Sequence, residues 1–245
     1  MDIHVMDGRS GVASPDMALA ALRHPDRGRG PATVLRDVLH APDDEPWRVL
    51  TDRALRDPAT AAAMLDAIPA LAAAMGDGWM DDALSFVDVS IGATRLHAAL
   101  RRLGAPAARA ATTPAIPVLV PPWEQHLLAA SLAAHRLCAA GRRAVVLTDL
   151  QPAQAARMPL IQAAPALMVS CTRDPSPRRL EDYLHRLRTA LRGAVPIVVG
   201  GPGFGTDPAD RAVPTDASCV ATDPAAALRS FGIAVGGGAH ATNGD

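Results

Sequence analysis

The chain of 245 residues falls into two parts that differ in the spacing of their apolar residues. From residue 31 to 104, apolar residues recur at helical spacing in the segments PATVLRDVLH, EPWRVLTDRAL and DPATAAAMLDAIPALAAAM. Gly76 and Gly78 are expected to end the third of these helices, and Asp81 or Asp82 to cap the next one. This pattern predicts an all-α helical-bundle cap domain over residues 31–104.

The last helix of this part is expected over residues 82–103, where apolar positions recur at intervals of three and four. These positions are Phe86, Val89, Ala93, Leu96, Leu100 and Leu103. Residues at this spacing share one face of a helix. We interpret the face as the seam that packs against the other helices.

After a small, proline-containing linker at residues 105–115, short apolar runs alternate with longer helical segments. The runs are IPVLV (116–120), RAVVLT (143–148), ALMVSC (166–171), VPIVVG (195–200) and SCVAT (218–222), and the helical segments are 125–140, 152–163, 176–192 and 223–231. Continuous apolar runs are typical of strands buried on both faces, and strict alternation with helices gives a parallel sheet. The predicted fold class is therefore α/β: the cap, then a doubly wound, Rossmann-like sheet of five parallel strands in flavodoxin-like order over residues 116–232.

Residues 1–30 are expected to form a mobile arm with one short helix near 15–22, and residues 233–245 a disordered tail.

Composition narrows the functional classes. With 49% apolar residues, 20% charged residues and a net charge of −1, the chain can bury a core and lacks the excess of positive charge of a nucleic-acid-binding protein. Cys138, Cys171 and Cys219 are widely spaced, which argues against a disulfide framework or a zinc site and favours a cytoplasmic location. No signal peptide or membrane-spanning stretch is expected. All 24 cationic residues are arginine, so chemistry that needs a lysine amine is excluded.

Ligands of doubly wound sheets bind at the carboxyl ends of the strands, and three loops there carry candidate residues. PPWEQHLLA follows the first predicted strand, Ser170-Cys171-Thr172 ends the third and Gly200-Gly201 ends the fourth. Each signal is weak by itself, because a histidine at a helix start is often a surface or capping residue and glycines after a strand often form a plain turn.

The separations between these loops match a known signature. The chain reads Glu124-x-His126-x-x-Ala129, 40 residues, Ser170-x-Thr172, 27 residues, then Gly200-Gly201. This resembles the cobalamin-binding domain, whose signature is Asp-x-His-x-x-Gly, then Ser-x-Leu, then Gly-Gly at similar separations. The chain departs from that signature at position 124, where glutamate replaces aspartate, at 129, where alanine replaces glycine, and at 172, where threonine replaces leucine.

The resemblance implies a role for each matching position. His126 would be the lower axial ligand of cobalt, with Glu124 hydrogen-bonded to its other ring nitrogen. Ser170 would donate to the benzimidazole of the nucleotide tail, and Gly200 and Gly201 would let that tail pass close to the backbone.

Three further residues, Trp123, Ala129 and Thr172, are also predicted to bind the cofactor. Ala129 adds a methyl group near the loop under the corrin, where the signature has glycine. Trp123 and Thr172 belong to the same loops as the residues that match.

The helical part extends the resemblance to about residues 55–232. Its segment from 68 to 103 resembles the helical cap of methyl carriers and cobalamin photoreceptors, in which a tryptophan packs on the upper face of the corrin. Trp79 is the matching residue. Adenosylcobalamin photoreceptors carry Glu-His where this chain has Val89 and Ser90, so His97 is the candidate upper ligand. The tract WMDDALSFVDVSIGATRL resembles the cobalamin-binding antirepressors of the AerR and PpaA type more than it does those photoreceptors.

Three functions stay open at this stage. The first is a non-enzymatic tetrapyrrole sensor that responds to light or redox state and controls a protein partner such as a transcriptional regulator. The second is a corrinoid carrier subunit of a methyltransferase system. The third is a sensor that binds haem or biliverdin on the same fold. No nucleophile with an adjacent base is evident near the proposed site, so no turnover by this chain alone is expected.

Overall fold

The computed structural model describes residues 14–24, 31–104, 113–171, 177–193, 195–201, 204 and 213–235. Thr172, most of the predicted arm, residues 105–112 of the linker and residues 236–245 of the tail lie outside the described residues. The chain divides into two compact units, Met1–Gly104 and Ala105–Asp245. We call the first the helical unit and the second the α/β unit.

The helical unit contains five described helices. They are α1 (Pro15–Arg23), α2 (Pro31–Leu39), α3 (Glu45–Ala54), α4 (Pro58–Met80) and α5 (Phe86–Leu103). The long helix α4 contacts each of the other four. The largest fully buried side chains of this unit form its core: Leu35, Leu39, Leu50, Met64, Ile68, Leu71 and Leu96.

The turn between α4 and α5 differs from the sequence prediction. Gly76 and Gly78 do not end α4, which continues to Met80. Asp81 and Asp82 do not cap α5 either. Ser85 does so, in a capping box in which its side chain and that of Asp88 each accept a hydrogen bond from the other's backbone amide.

The predicted seam of α5 is only half correct. Leu96, Leu100 and Leu103 are buried, but Phe86 at the start of the helix is 72% exposed. The buried face of α5 instead includes Gly92, where an added Cβ would lie 2.5 Å from Met75 Sδ. Glycine at this crossing lets α5 approach α4 closely, and a larger residue would require the Met75 side chain to move.

Helix α4 is long and apolar enough to cross a membrane by length and composition alone. The sequence prediction that no such stretch exists overlooked this helix. A core helix of a bundle passes the same test, and α4 buries Met64, Leu65, Ile68 and Leu71 against its neighbours.

The α/β unit contains a parallel sheet whose described strands are β1 (Ile116–Val120), β2 (Ala144–Thr148), β3 (Leu167–Ser170), β4 (Ile197–Gly200) and β5 (Cys219–Val220). Their order is β2-β1-β3-β4-β5, and every neighbouring pair is parallel. The predicted doubly wound fold and its flavodoxin-like order are confirmed. Because the chain leaves β1 for one side of the sheet and later returns to its other side at β3, the carboxyl ends of β1 and β3 form the topological switch point.

The helices of the α/β unit follow the predicted alternation with one difference. They are α6 (Leu127–Ala139), α7 (Pro152–Ala155), α8 (Pro159–Gln162), α9 (Pro177–Ala190) and α10 (Pro224–Ser230). The segment predicted as one helix over 152–163 forms two short helices, because Pro159 cannot continue the first and begins the second.

Alternate residues of the strands pack on opposite faces of the sheet. Leu119, Val169 and Val199 belong to the core that includes α9. Val118, Met168 and Val198 belong to the core that includes α6 and α10. Both faces are thus covered by helices, as the apolar strands predict.

Candidate functional site

The loop after β1 brings three predicted site residues to the carboxyl end of the sheet. Buried Pro121 begins a tight turn, in which the backbone amide of Glu124 donates to the Pro121 carbonyl at 2.9 Å. Trp123 is half-buried within the turn. Helix α6 begins at Leu127, so His126 occupies its N-cap position, but the imidazole does not cap the helix.

The side chain of His126 instead pairs with Glu124. Glu124 Oε1 accepts a hydrogen bond from the His126 backbone amide at 2.8 Å and lies 2.7 Å from Nδ1 of the imidazole. The carboxylate is 3% exposed, whereas the imidazole is 73% exposed. An ionised carboxylate only accepts, so a neutral imidazole makes this bond with its proton on Nδ1 and leaves the lone pair on Nε2. This is the tautomer of a metal-ligating histidine oriented by a carboxylate.

Ser170 lies across the switch point from this pair. It is the last residue of β3, the strand next to β1, and its side chain is buried. Ala129, another predicted residue, is half-buried in the first turn of α6. His126, which follows β1, and Ser170, which ends β3, thus belong to the carboxyl ends of adjacent strands, where a doubly wound sheet binds its ligands.

Gly200 and Gly201 are required by the sheet itself. An added Cβ at Gly200 would lie 2.7 Å from the carbonyl oxygen of Ala221, and one at Gly201 only 2.1 Å from that of Cys171. Gly201 also has a φ of +130°, which residues with a Cβ rarely adopt. The close approach that the sequence analysis assigned to a nucleotide tail is therefore already present between the protein's own backbone segments.

The helical unit exposes an apolar patch where α4 ends and α5 begins. Trp79 is 47% exposed, and its ring meets that of Phe86 edge to face, with centroids 6.5 Å apart. Met80, Val87 and Ile91 are exposed beside them. We call these five residues the aromatic patch. Sequence analysis identified Trp79 but assigned Phe86 to the core, because helical spacing does not distinguish a buried stripe from an exposed one.

On the same helix, Val89 and Ser90 lie between Val87 and Ile91, and His97 lies further along. Val89, Ser90 and His97 are half-buried. Burial lowers the pKa of His97, and the neighbouring Arg101 lowers it further. The imidazole is therefore biased towards the neutral form, which is the form that binds metals.

Sequence analysis did not identify His40, which has the most unusual surroundings of the described histidines. Both ring nitrogens are buried, and neither has a hydrogen-bond partner among the described residues. Burial lowers the pKa of His40; of the nearby charges, Asp88 and Asp37 raise it, whereas Arg36 and Arg95 lower it. No local motif marks such a residue, because the groups that bury it come from other helices.

A second histidine–carboxylate pair lies elsewhere in the α/β unit. His185 Nδ1 of α9 is 3.1 Å from Asp216 Oδ2, and the His185 side chain is 71% exposed. Asp216 precedes β5, so this pair lies towards the amino-terminal edge of the sheet. It matches the Glu124–His126 pair in chemistry and differs from it in position.

Comparisons with known proteins add little. No protein-family model matches the chain, and no curated protein matches its sequence. Among solved structures, the chain is similar to a cobalamin-binding protein from Desulfitobacterium hafniense, with 13% identity and a TM-score of 0.39 over 82% of this chain and 97% of that chain. A likeness of this degree assigns neither a ligand nor a site to the present chain.

Proposed function

We propose that this protein is a non-enzymatic sensor that binds a tetrapyrrole, with cobalamin as the ligand, and controls a protein partner according to the state of that ligand. The Glu124–His126 pair at the switch point carries the proposal. It offers a solvent-facing imidazole whose ring orientation and tautomer are set by a nearly buried carboxylate.

A single oriented imidazole suits a metal that is already held by a macrocycle. Four ring nitrogens of a tetrapyrrole bind the metal, so the protein needs to supply only one axial ligand. The hydrogen bond to Glu124 fixes the direction of that ligand. When bound, cobalamin would supply the light- or redox-sensitive bond to its upper ligand, and this chain would bind and orient it.

The aromatic patch of the helical unit is a separate feature suited to the same class of ligand. Trp79 and Phe86 expose aromatic surface, and Met80 and Val87 extend it. Large exposed apolar patches mark interaction sites, and flat rings are favoured by aromatic surfaces. A hydrophilic partner would gain little from this patch, whereas a corrin or haem face would bury it.

The proposal is tested by absorption spectroscopy on the full-length protein. Hydroxocobalamin, methylcobalamin, adenosylcobalamin, haem and biliverdin are added separately in dim light. We expect stoichiometric binding of a cobalamin, with a spectrum that shows histidine in place of the cofactor's own benzimidazole as the lower ligand. In His126→Ala, that spectrum should be lost and the affinity should fall about 10-fold or more, as for the loss of a metal ligand.

The second histidine–carboxylate pair provides a matched control. His185→Ala removes an equally exposed, carboxylate-bonded imidazole from the other end of the sheet, and it should leave both spectrum and affinity unchanged. Equal effects of the two substitutions would refute the assignment of His126. Binding of haem or biliverdin in preference to every cobalamin would show that the ligand is not cobalamin. Methyl transfer to bound cobalamin by a methyltransferase would favour the function of a methyl carrier.

A further inference from the structure

Trp123, directly before Glu124, packs the loop after β1, which carries His126, against helix α9. Its ring meets the ring of buried Tyr183 edge to face, with centroids 5.4 Å apart and planes at 88°. The guanidinium carbon of Arg179 lies 5.7 Å from the centroid of the Trp123 ring, within range of a cation–π contact. Both partners belong to α9, so the loop after β1 is held against this helix.

Tyr183 also contacts the loop after β2. Its hydroxyl donates to the carbonyl of Leu150, in the loop after β2, at 3.1 Å. Burial raises the pKa of Tyr183 to about 12, so the hydroxyl keeps its proton near neutral pH and continues to donate. We call Trp123, Tyr183 and Arg179 the aromatic clamp, which joins the loops after β1 and β2 to α9.

The indole of Trp123 is held by its ring and not by its polar atom. Its Nε1 is buried and has no hydrogen-bond partner among the described residues. A buried donor without a partner is unfavourable, so the contacts of the ring must outweigh that cost. The requirement at this position is thus an aromatic ring that packs on α9, and phenylalanine would satisfy it.

We propose that Trp123 is a positioning residue that holds the Glu124 carboxylate in place and thereby sets the tautomer of His126. The imidazole is largely exposed, and its Nδ1 lies 2.7 Å from Oε1 of the nearly buried carboxylate, so the position of that carboxylate bears directly on the tautomer. That carboxylate belongs to the residue next to Trp123, in the turn closed by the Pro121 carbonyl. The inference rests on the proposed function only in that it concerns the same histidine.

The test measures the tautomer directly, without any cofactor. Nitrogen-15 NMR of the full-length, histidine-labelled protein at pH 8 distinguishes a protonated Nδ1 from a protonated Nε2, and the His126 signals are identified by their loss in His126→Gln. We expect the wild type to hold the proton on Nδ1. In Trp123→Ala, the Nδ1-protonated fraction should fall at least two-fold, while Trp123→Phe should retain it.

Two further variants separate positioning from general stability. Leu187→Ala creates a cavity in the same core, on the same helix as Tyr183. It should lower the melting temperature without changing the tautomer. Trp123→Leu keeps part of the apolar volume but loses the contact between rings, so it tests the clamp if Trp123→Ala does not fold, and it should shift the tautomer as Trp123→Ala does.

The outcomes are distinct. An unchanged tautomer in Trp123→Ala and Trp123→Leu, or an equal shift in Leu187→Ala, would overturn the positioning role. Cobalamin titration of the same samples tests the proposed function separately. If Trp123→Ala shifts the tautomer but the protein binds no tetrapyrrole, the positioning role of Trp123 is supported and the proposed ligand is wrong. If the protein binds cobalamin but the tautomer in Trp123→Ala is unchanged, the proposed ligand is supported and the positioning role is wrong.

Discussion

Replacement of Gly201 by alanine is the substitution whose cost can be worked out most directly from the structure. The added Cβ would lie 2.1 Å from the carbonyl oxygen and 2.9 Å from the carbonyl carbon of Cys171. Both are backbone atoms and cannot rotate away. The neighbouring bond from the Cys171 amide to the Gly200 carbonyl, 2.9 Å long, joins the ends of β3 and β4 and would be broken if the segments separated.

Three terms add to the cost. A residue with a Cβ at a φ of +130° is strained by about 1–3 kcal/mol. Overpacking against fixed atoms costs about 1–3 kcal/mol, and one lost hydrogen bond about 0.5–1.5 kcal/mol. We therefore expect Gly201→Ala to lower the free energy of unfolding by about 2.5–7.5 kcal/mol, a large share of the ~5–15 kcal/mol typical of a whole domain.

Urea unfolding followed by far-UV circular dichroism measures this loss, and other glycines provide controls. Gly232 has a φ of +69° but nothing within 4 Å of an added Cβ, so Gly232→Ala isolates the backbone strain and should cost about 1–2 kcal/mol. Gly76 lies inside α4 with no neighbour within 4 Å, so Gly76→Ala should stabilise the protein by about 0.5–1 kcal/mol.

The result also separates two interpretations of the glycine pair. If the glycines serve the fold, Gly201→Ala unfolds more readily with or without cobalamin. If they only leave room for a ligand tail, the variant keeps its stability and loses affinity. A cost for Gly201→Ala no larger than that of Gly232→Ala would refute the reasoning from close backbone contact.

Three further substitutions test the helical unit, each by chemical unfolding. Because burial holds the pKa of His40 below its usual value, the unfolded chain binds more protons than the native one as the pH falls through about 6.5. Stability should therefore decrease from pH 7 to pH 5, by at most about 1.4 kcal/mol per pH unit from this residue, and His40→Phe should flatten the pH profile. Arg95→Met leaves three backbone carbonyls and the exposed Asp44 carboxylate without their buried guanidinium donor, and should cost about 1–3 kcal/mol for each of the two buried carbonyls, those of Leu39 and Ala41. Phe86→Ser removes an exposed ring, so it should change stability by less than about 0.5 kcal/mol.

The sequence predicted the α/β unit well because its signals are local. The run IPVLV becomes β1 without change in its bounds, since all five of its residues are buried in the middle of the sheet. Strict alternation of strands and helices then restricts the topology to a few possibilities. The exception at 152–163 also has a local cause, because Pro159 interrupts a segment whose apolar spacing is otherwise helical.

The helical unit was predicted less accurately because its decisive contacts are not local. Gly78 is a helix-breaking signal by itself, yet α4 continues through it, and Leu84 packs 2.9 Å from where its Cβ would lie. The stripe of α5 has helical spacing along its whole length, but α4 and the other helices cover only its second half. Which part of an apolar face is buried depends on where the partner helices end.

The candidate site also combines a local contact that was expected from the sequence with long-range contacts that were not. The bond between Glu124 and His126 spans two residues and was expected from the resemblance of this local motif to the cobalamin-binding signature. The contact of Trp123 with Tyr183 spans sixty residues along the chain and has no sequence signature, since it depends on how α9 lies against the sheet. The burial of His40 depends on other helices in the same way.

The two histidine–carboxylate pairs of the α/β unit show why chemistry alone does not define a site. Each places Nδ1 of a largely exposed imidazole within hydrogen-bond distance of a carboxylate, at 2.7 Å for His126 and 3.1 Å for His185. They differ in their surroundings. The Glu124 carboxylate is nearly buried and lies at the switch point, whereas the Asp216 carboxylate is 26% exposed and precedes β5. Water competes more strongly for the second bond, so its imidazole is less firmly oriented. A ligand that needs a firmly oriented imidazole at the switch point would therefore be served better by His126 than by His185.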